Sequence, residues 1–252
     1  MTPRRHAVVT GASSGIGAAI ARQLAADGAA VLLVARSADG LAAVAADIRG
    51  AGGTAHCCAV DLAKRDSAQV VVEAALAAMG AIDILVNCAS LTHNADFFEV
   101  TDDQWEAAFA VKVLAAIRLC RTAWPALRES GGSIVNIAGI GARTPRPFSA
   151  VTSGTSSSLL AITKLLADTG VSDGVQVNAI NPGMIRTPRI ERTMGGGGGG
   201  VDVLNQRARA AGAKRVGTPE DVAAMLAYIV SPAGDLLQGA IIDLDGGTTK
   251  GL

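Results

Sequence analysis

The chain has 252 residues, half of them hydrophobic and only 3% aromatic, and its 22 basic residues balance its 22 acidic ones. An apolar chain without net charge is not an intrinsically disordered protein, and it has neither the positive field nor the stacking rings of a nucleic-acid-binding protein. No uncharged apolar run reaches the roughly 18 residues of a membrane span.

Short apolar segments alternate with helical segments along the whole chain. The predicted strands are the apolar runs 7–10, 31–35, 55–60, 84–87, 133–137, 175–180 and 240–244. The predicted helices are 18–27, 41–49, 68–79, 102–127, 157–168 and 219–230. Continuous apolar strands that alternate with helices are typical of a parallel sheet covered on both faces. The sequence therefore predicts an α/β fold with a doubly wound, seven-stranded parallel sheet, in a single domain over 1–252.

The segment 189–212 interrupts this alternation. Six consecutive glycines at positions 195–200 give it maximal backbone freedom and no side chains to pack. Such a segment is either a mobile surface loop or a flexible lid over a binding site. We expect 189–212 to be a mobile lid over the substrate.

A glycine-rich turn joins the first predicted strand to the first predicted helix. It reads Thr10-Gly11-Ala12-Ser13-Ser14-Gly15-Ile16-Gly17. Glycines allow a tight turn and a close approach of the backbone to a pyrophosphate, which the free N–H groups and dipole of the helix N-terminus then attract. A glycine-rich turn between a strand and a helix predicts a Rossmann-type dinucleotide site.

The spacing of this turn resembles that of the classical short-chain dehydrogenase/reductase family, and the resemblance covers nearly the whole chain. Further segments that resemble family motifs are Asp61-Leu62, Asn87-Cys88-Ala89-Ser90, Asn181-Pro182-Gly183-Met184-Ile185-Arg186-Thr187-Pro188, Arg215-Val216-Gly217-Thr218-Pro219-Glu220-Asp221 and Asp245-Gly246-Gly247. The resemblance implies a cytoplasmic oxidoreductase that forms a homodimer or homotetramer. It implies a small-molecule carbonyl or alcohol substrate, and neither nucleic acid nor a membrane as partner.

The resemblance also assigns the cofactor contacts. They fall on Gly11, Ser13, Ser14, Gly15, Ile16, Gly17, Arg36, Ser37, Asp61, Leu62, Asn87, Ala89, Pro182, Gly183, Ile185 and Thr187. An acidic residue at the end of the second strand would bind the ribose hydroxyls of NAD, but none is present there. Arg36 can instead pair with a 2′-phosphate and Ser37 can donate to it, which favours NADP(H) over NAD(H). The alternative is that Arg36 stacks on adenine or faces solvent.

The family's four catalytic residues are a serine, a tyrosine, a lysine and an asparagine. The run 159–167 fixes their register in this chain. The serine position falls on Gly139, the tyrosine on Thr152, the lysine on Ser156 and the asparagine on Lys112. The resemblance therefore implies that all four catalytic side chains are replaced.

Few residues remain to transfer a proton. The one tyrosine, Tyr228, lies far along the chain from these positions. Thr152 carries a hydroxyl, but an alkyl alcohol is a much weaker acid than a phenol. A desolvated lysine can act as an acid or base, so Lys112 is a candidate, against an ordinary lysine that forms an ion pair or reaches solvent. His93 is a further candidate. We take Thr152 and Lys112 as the catalytic positions.

Three functions are compatible with the sequence. The first is NADP(H)-dependent hydride transfer with a non-standard proton relay, and the second is a nucleotide-binding protein without turnover. The third is non-redox catalysis on the same scaffold, as in a lyase or cyclase. The four cysteines and three histidines lack the spacing of metal ligands, so we expect no metal and four reduced, packed thiols.

Overall fold

Seven parallel strands form one sheet in the computed structural model of the chain, which describes residues 5–92, 95–194 and 200–250. The strands are β1 (His6–Thr10), β2 (Ala30–Ala35), β3 (Thr54–Ala59), β4 (Ile84–Asn87), β5 (Ser133–Ile137), β6 (Gln176–Pro182) and β7 (Ile241–Leu244). Their order is β3-β2-β1-β4-β5-β6-β7, and every pairing is parallel. The predicted doubly wound α/β fold is confirmed.

Alternate residues of each central strand point into two separate cores. In β1, Ala7 and Val9 belong to one hydrophobic cluster and Val8 belongs to the other. In β2, Val31 packs with the first cluster and Leu32 with the second. Because side chains along a strand alternate between faces, a strand buried on both faces reads as a continuous apolar run.

Helices cover both faces of the sheet. They are α1 (Gly15–Ala26), α2 (Ala38–Gly50), α3 (Ser67–Met79), α4 (Asp102–Phe109), α5 (Ala115–Ser130), α6 (Ala150–Asp173), α7 (Pro188–Met194), α8 (Gly200–Ala210) and α9 (Pro219–Ile229). Helices α1, α2 and α9 pack on one face, and α3, α5 and α6 pack on the other. Because the strand order reverses between β1 and β4, the crevice at the carboxyl ends of these strands is the expected ligand site.

Two helices differ from their predicted bounds, and both differences bear on the site. The helix predicted over 102–127 is divided into α4 and α5 by one π-helical turn at Ala110–Leu114. Such turns occur often at functional sites. The helix predicted over 157–168 begins instead at Ala150, so α6 carries Thr152 and Ser156 on one face, four residues apart.

The segment 189–212 is largely helical where the structure describes it. Helices α7 and α8 occupy much of it, and residues 195–199 of the glycine run lie outside the described residues. Leu204 and Ala208 of α8 pack with Ala213, Val216 and the half-buried Met184. The segment is therefore helical on both sides of the glycine run, and α8 has its own apolar stripe; that 189–212 forms a lid stays a prediction.

The described residues contain no helix that is long and apolar enough to cross a membrane. Within these same residues, no three His, Cys, Asp or Glu side chains are grouped as metal ligands would be. All four cysteines are unpaired, and Cys58 and Cys120 are buried. The expectation that every thiol is packed was wrong for Cys57, which is exposed on the edge strand β3.

Candidate functional site

The glycine turn between β1 and α1 has no room for side chains. Gly11 has φ +67°, and a Cβ there would lie 3.1 Å from the backbone of Ala89. A Cβ on Gly17 would lie 2.3 Å from the carbonyl oxygen of Gly11, well inside van der Waals contact. The turn therefore needs glycine at both positions to close tightly over the N-terminus of α1.

Thr10 joins this turn to the end of β4. Its Oγ1 accepts hydrogen bonds from the backbone N–H groups of Cys88, at 2.9 Å, and Ala89, at 3.1 Å. The same hydroxyl donates to the carbonyl oxygen of Val86 at 3.1 Å. One buried threonine thus aligns the two strands on either side of the expected ligand crevice.

The loop after β6 closes the other side of the crevice. A Cβ on Gly15 would lie 3.3 Å from Cγ2 of Thr187, which is buried at the start of α7. Gly183 is packed so tightly that a Cβ would lie 2.8 Å from Cα of Asp245. The predicted contacts at 182–187 and the glycine turn are therefore brought together.

The residues predicted to bind the 2′-phosphate, Arg36 and Ser37, directly follow the carboxyl end of β2. Arg36 is exposed, with no ion pair within the part of the chain that the structure describes. Oγ of Ser37 caps α2 by accepting from the N–H of Gly40 at 3.1 Å, which leaves its hydroxyl proton free to donate. At the end of β3, Asp61 accepts from the N–H of Ala63 at 3.1 Å.

Asn87, predicted as a cofactor contact, is used inside the sheet. Its Nδ2 donates to Oδ1 of Asn136 on β5 at 2.8 Å and approaches Sγ of Cys120 at 3.3 Å. Asn136 in turn donates to Oγ1 of Thr163 on α6 at 2.9 Å. Oδ1 of Asn87 is buried and has no hydrogen-bond partner among the residues that the structure describes, so one acceptor of this network remains open.

Lys112 is buried in the π-helical turn, with 3% of its surface exposed. Its Nζ donates to the carbonyl oxygen of Ala138 and to Oγ of Ser156, both at 2.8 Å. No carboxylate forms a salt bridge with it among the described residues. The alternative of an ion-paired or solvent-reaching lysine was wrong, because the side chain extends across to α6. Two positions that the resemblance assigns to the tetrad are thus in direct contact.

The environment of Lys112 weakens its hold on its proton. Burial lowers the pKa of this ammonium to about 8. Interaction with the thiol of Cys88 opposes the change, and repulsion by Arg189 adds to it. An amine with a pKa near ambient pH is suited to proton transfer.

The same depressed pKa predicts that Lys112 destabilises the fold. A lysine whose pKa falls from 10.5 to about 8 on folding costs about 3 kcal/mol below pH 8, because a tenfold change in proton affinity is about 1.4 kcal/mol. Between these pKa values the folded chain binds fewer protons than the unfolded chain, so stability rises with pH across that window.

We therefore expect Lys112→Met to be more stable than the wild type at pH 7. The gain is about 1 to 2 kcal/mol once the two lost hydrogen bonds are counted. Urea unfolding at pH 7 and pH 10 measures it, and the advantage of the variant should shrink at the higher pH. A variant that is less stable at pH 7, with the pH dependence of the wild type, would contradict this assignment.

Gly139 lies beside the contact between Lys112 and Ser156. A Cβ on Gly139 would approach Oγ of Ser156 to 3.3 Å, so the absence of a side chain leaves this hydroxyl uncrowded. The N–H of Gly139 donates to Oδ1 of Asn181 at 3.2 Å, and Asn181 donates to Asp243 at 2.8 Å. Thr152, half-buried, lies one helical turn before Ser156.

The other candidates are distributed differently. Tyr228 is 51% exposed on α9, a helix that packs against α1 on the opposite face from α6. His93 lies outside the described residues. The sequence did not indicate a role for Arg189, although this residue lies two positions after the predicted contact Thr187. It donates to Oγ1 of Thr92 at 2.8 Å and thereby joins α7 to the loop after β4.

Known proteins resemble the chain over nearly its full length. Residues 11–249 match the family described as enoyl-(acyl carrier protein) reductase. The short-chain reductase protein NovJ of Streptomyces niveus is 34% identical, over 96% of this chain and 92% of the relative. The 4-formylbenzenesulfonate dehydrogenase of Comamonas testosteroni is 35% identical, over 97% of each. The L-sorbose reductase of Gluconobacter frateurii, solved with NADPH and L-sorbose, matches with a TM-score of 0.93 and 35% identity, over 99% and 98% of the two chains.

Proposed function

The chain belongs to the classical short-chain dehydrogenase/reductase family, and on that basis we propose that it transfers hydride between NADP(H) and a small carbonyl or alcohol, with Lys112 in place of the family's tyrosine. The observation that carries this proposal is the buried Lys112, whose Nζ lies 2.8 Å from Oγ of Ser156. We propose that all four tetrad residues of the family are replaced in this chain, and that the contact between Lys112 and Ser156 takes over part of their role.

The residues of the crevice fit a dinucleotide. The glycine turn is so tight that one Cβ on Gly17 would overlap the backbone of Gly11. A turn of this kind lets the N–H groups at the N-terminus of α1 approach a pyrophosphate. We propose that this turn, Asp61, Ala89 and the 182–187 loop hold NADP(H), which supplies the hydride when bound. The NADPH complex of the similar L-sorbose reductase supports this assignment.

Lys112 would exchange a proton with the reacting oxygen of the substrate. Its protonated Nζ already donates to two oxygens and retains a third N–H group. That group can donate a proton to an alkoxide oxygen, or as a neutral amine Lys112 can accept the proton of an alcohol. Ser156 fixes the position of Nζ, and the short side chain of Thr152 leaves space where the family has a tyrosine.

The proposed cofactor preference depends on Arg36. We expect Arg36→Asp to shift the ratio of NADPH to NADH affinity by about 10- to 100-fold towards NADH, because a charge-assisted pair with the 2′-phosphate is lost and a carboxylate for the ribose hydroxyls is gained. Fluorescence titration with both nucleotides measures the ratio.

Arg128→Asp is the matched control for this charge reversal. Arg128 is exposed in the last turn of α5, which leads into the amino end of β5, whereas the crevice lies at the carboxyl ends of the strands. We expect its reversal to leave the ratio unchanged. If Arg36→Asp also leaves the ratio unchanged, Arg36 does not bind the 2′-phosphate.

The function itself is tested by binding and turnover together. NADPH is titrated by fluorescence, and a panel of carbonyl compounds is then screened for loss of nicotinamide absorbance. We expect both binding and turnover. Binding without turnover over a broad panel would favour a nucleotide-binding protein without redox activity, and failure to bind either nucleotide would refute the proposal. We further propose a homodimer or homotetramer, with 189–212 as the substrate lid.

A further inference from the structure

We infer that the substrate is an anionic carbonyl compound whose negative charge lies beside the reacting carbon, as in a 2-oxo acid. Lys112 is the cation that binds this negative charge. This inference rests on the proposed function, because it names the substrate class of the same site. It begins from a buried positive charge that forms no salt bridge with the described residues.

The two hydrogen-bond acceptors of Lys112 are both uncharged. They are a backbone carbonyl, that of Ala138, and the hydroxyl of Ser156. An ammonium has three donors, so one N–H and the full charge are left without a partner in the ranges that the structure describes. Buried charges in proteins are normally paired, because an isolated one is costly. A negatively charged group on a ligand would supply the partner that Lys112 lacks among the described residues.

Among the described residues, Thr152, Cys88 and Asp243 do not supply this negative charge. Thr152 stands where the resemblance places a tyrosine, and an alkyl hydroxyl does not ionise as a phenol does. Burial raises the pKa of the Cys88 thiol to about 12, so this neighbour is neutral at pH 7. The carboxylate of Asp243 accepts from Asn181 and lies 3.4 Å from the guanidinium of Arg143.

A second positive charge acts on the same region. Arg189 reaches the loop after β4 through Thr92, and its charge is close enough to lower the pKa of Lys112. This repulsion shows that the potential around Lys112 is positive, which favours an anionic ligand beside Lys112. Gly139 and Thr152 are smaller than the serine and tyrosine that the resemblance places at these positions, which favours a compact anion.

Oxamate and oxamide form a matched pair of probes for this site. They have nearly the same shape, but oxamate carries a carboxylate where oxamide has a neutral amide. Each is titrated calorimetrically into the protein with and without NADPH. We expect the NADPH complex to bind oxamate at least tenfold more tightly than oxamide at pH 7. The oxamate affinity should fall about tenfold per pH unit above pH 8, where Lys112 loses its proton.

Two variants assign this preference to Lys112. Lys112→Met should remove the preference for oxamate and keep NADPH binding. Lys112→Arg should keep the preference but lose its decline above pH 8, because a guanidinium remains charged. Either variant alone is sufficient if the other does not fold.

Three outcomes would overturn the inference. If NADPH binds but oxamate and oxamide bind equally, the substrate is not selected as an anion, and the proposed oxidoreductase function still stands. If Lys112→Met loses NADPH and retains oxamate, the lysine contacts the cofactor instead. Failure of the wild type to bind NADPH refutes the proposed function and the inference that rests on it.

Discussion

Lys112→Met is expected to slow substrate turnover by about 10²- to 10⁴-fold, the usual contribution of a general acid or base. Methionine has nearly the same length but carries no proton to transfer, so the substitution removes the chemistry and preserves the packing of the π-helical turn. NADPH affinity should change little, because the cradle at Gly11 and Gly17 is separate from this side chain. Single-turnover absorbance measurements at saturating NADPH report the chemical step.

Lys164→Met is the matched control for this prediction. Like Lys112, Lys164 donates a hydrogen bond to a backbone carbonyl: its Nζ lies 2.7 Å from the oxygen of Gly239. It is two helical turns beyond Ser156 on α6, so its loss should leave the chemical step unchanged. Equal rates for the wild type and Lys112→Met would show that the proton is transferred by another group.

Gly17→Ala is expected to weaken NADPH binding by about 10- to 100-fold, the equivalent of the 1–3 kcal/mol that overpacking costs. The new Cβ would stand 2.3 Å from the carbonyl oxygen of Gly11, so the glycine turn must move. Because both contacting groups belong to the backbone, no flexible side chain can relieve the overlap. Fluorescence titration measures the loss, and circular dichroism checks that the fold is retained.

Gly50→Ala provides the comparison for this glycine. Gly50 ends α2, and an added Cβ would have no heavy atom within 4 Å. This variant should bind NADPH as the wild type does. If Gly17→Ala binds NADPH equally well, the glycine turn does not hold the pyrophosphate.

The central strands were predictable because their residues are buried on both faces. The runs 84–87 and 133–137 coincide with β4 and β5, where six of the nine side chains are apolar. The start of α6 was less predictable from the sequence. Residues 152–158 are all serine, threonine or glycine, which favour turns and helix caps unless tertiary packing favours a helix. Packing on β5 and β6 overrides that local preference.

The cofactor cradle could also be predicted, because its glycines are close together in sequence and their spacing carries the geometry. The contact of Lys112 with Ser156 could not, since 44 positions separate the two residues and the π-helical turn that aims the lysine has no sequence signal. Lysine side chains are rarely buried, so the residue type alone predicts an exposed side chain at this position. The sequence named Lys112 as a candidate for proton transfer, and the tertiary structure adds its burial and its contact with Ser156.

The pH dependence of a single turnover tests most directly whether Lys112 has taken over proton transfer. NADPH-bound protein is mixed with a carbonyl substrate from the panel between pH 6 and pH 10, and the loss of nicotinamide absorbance is followed. Because reduction requires the protonated amine, the rate should be constant below its pKa of about 8 and fall about tenfold per pH unit above it. A rate that does not change across pH 8, or the same decline in Lys112→Met, would contradict this assignment.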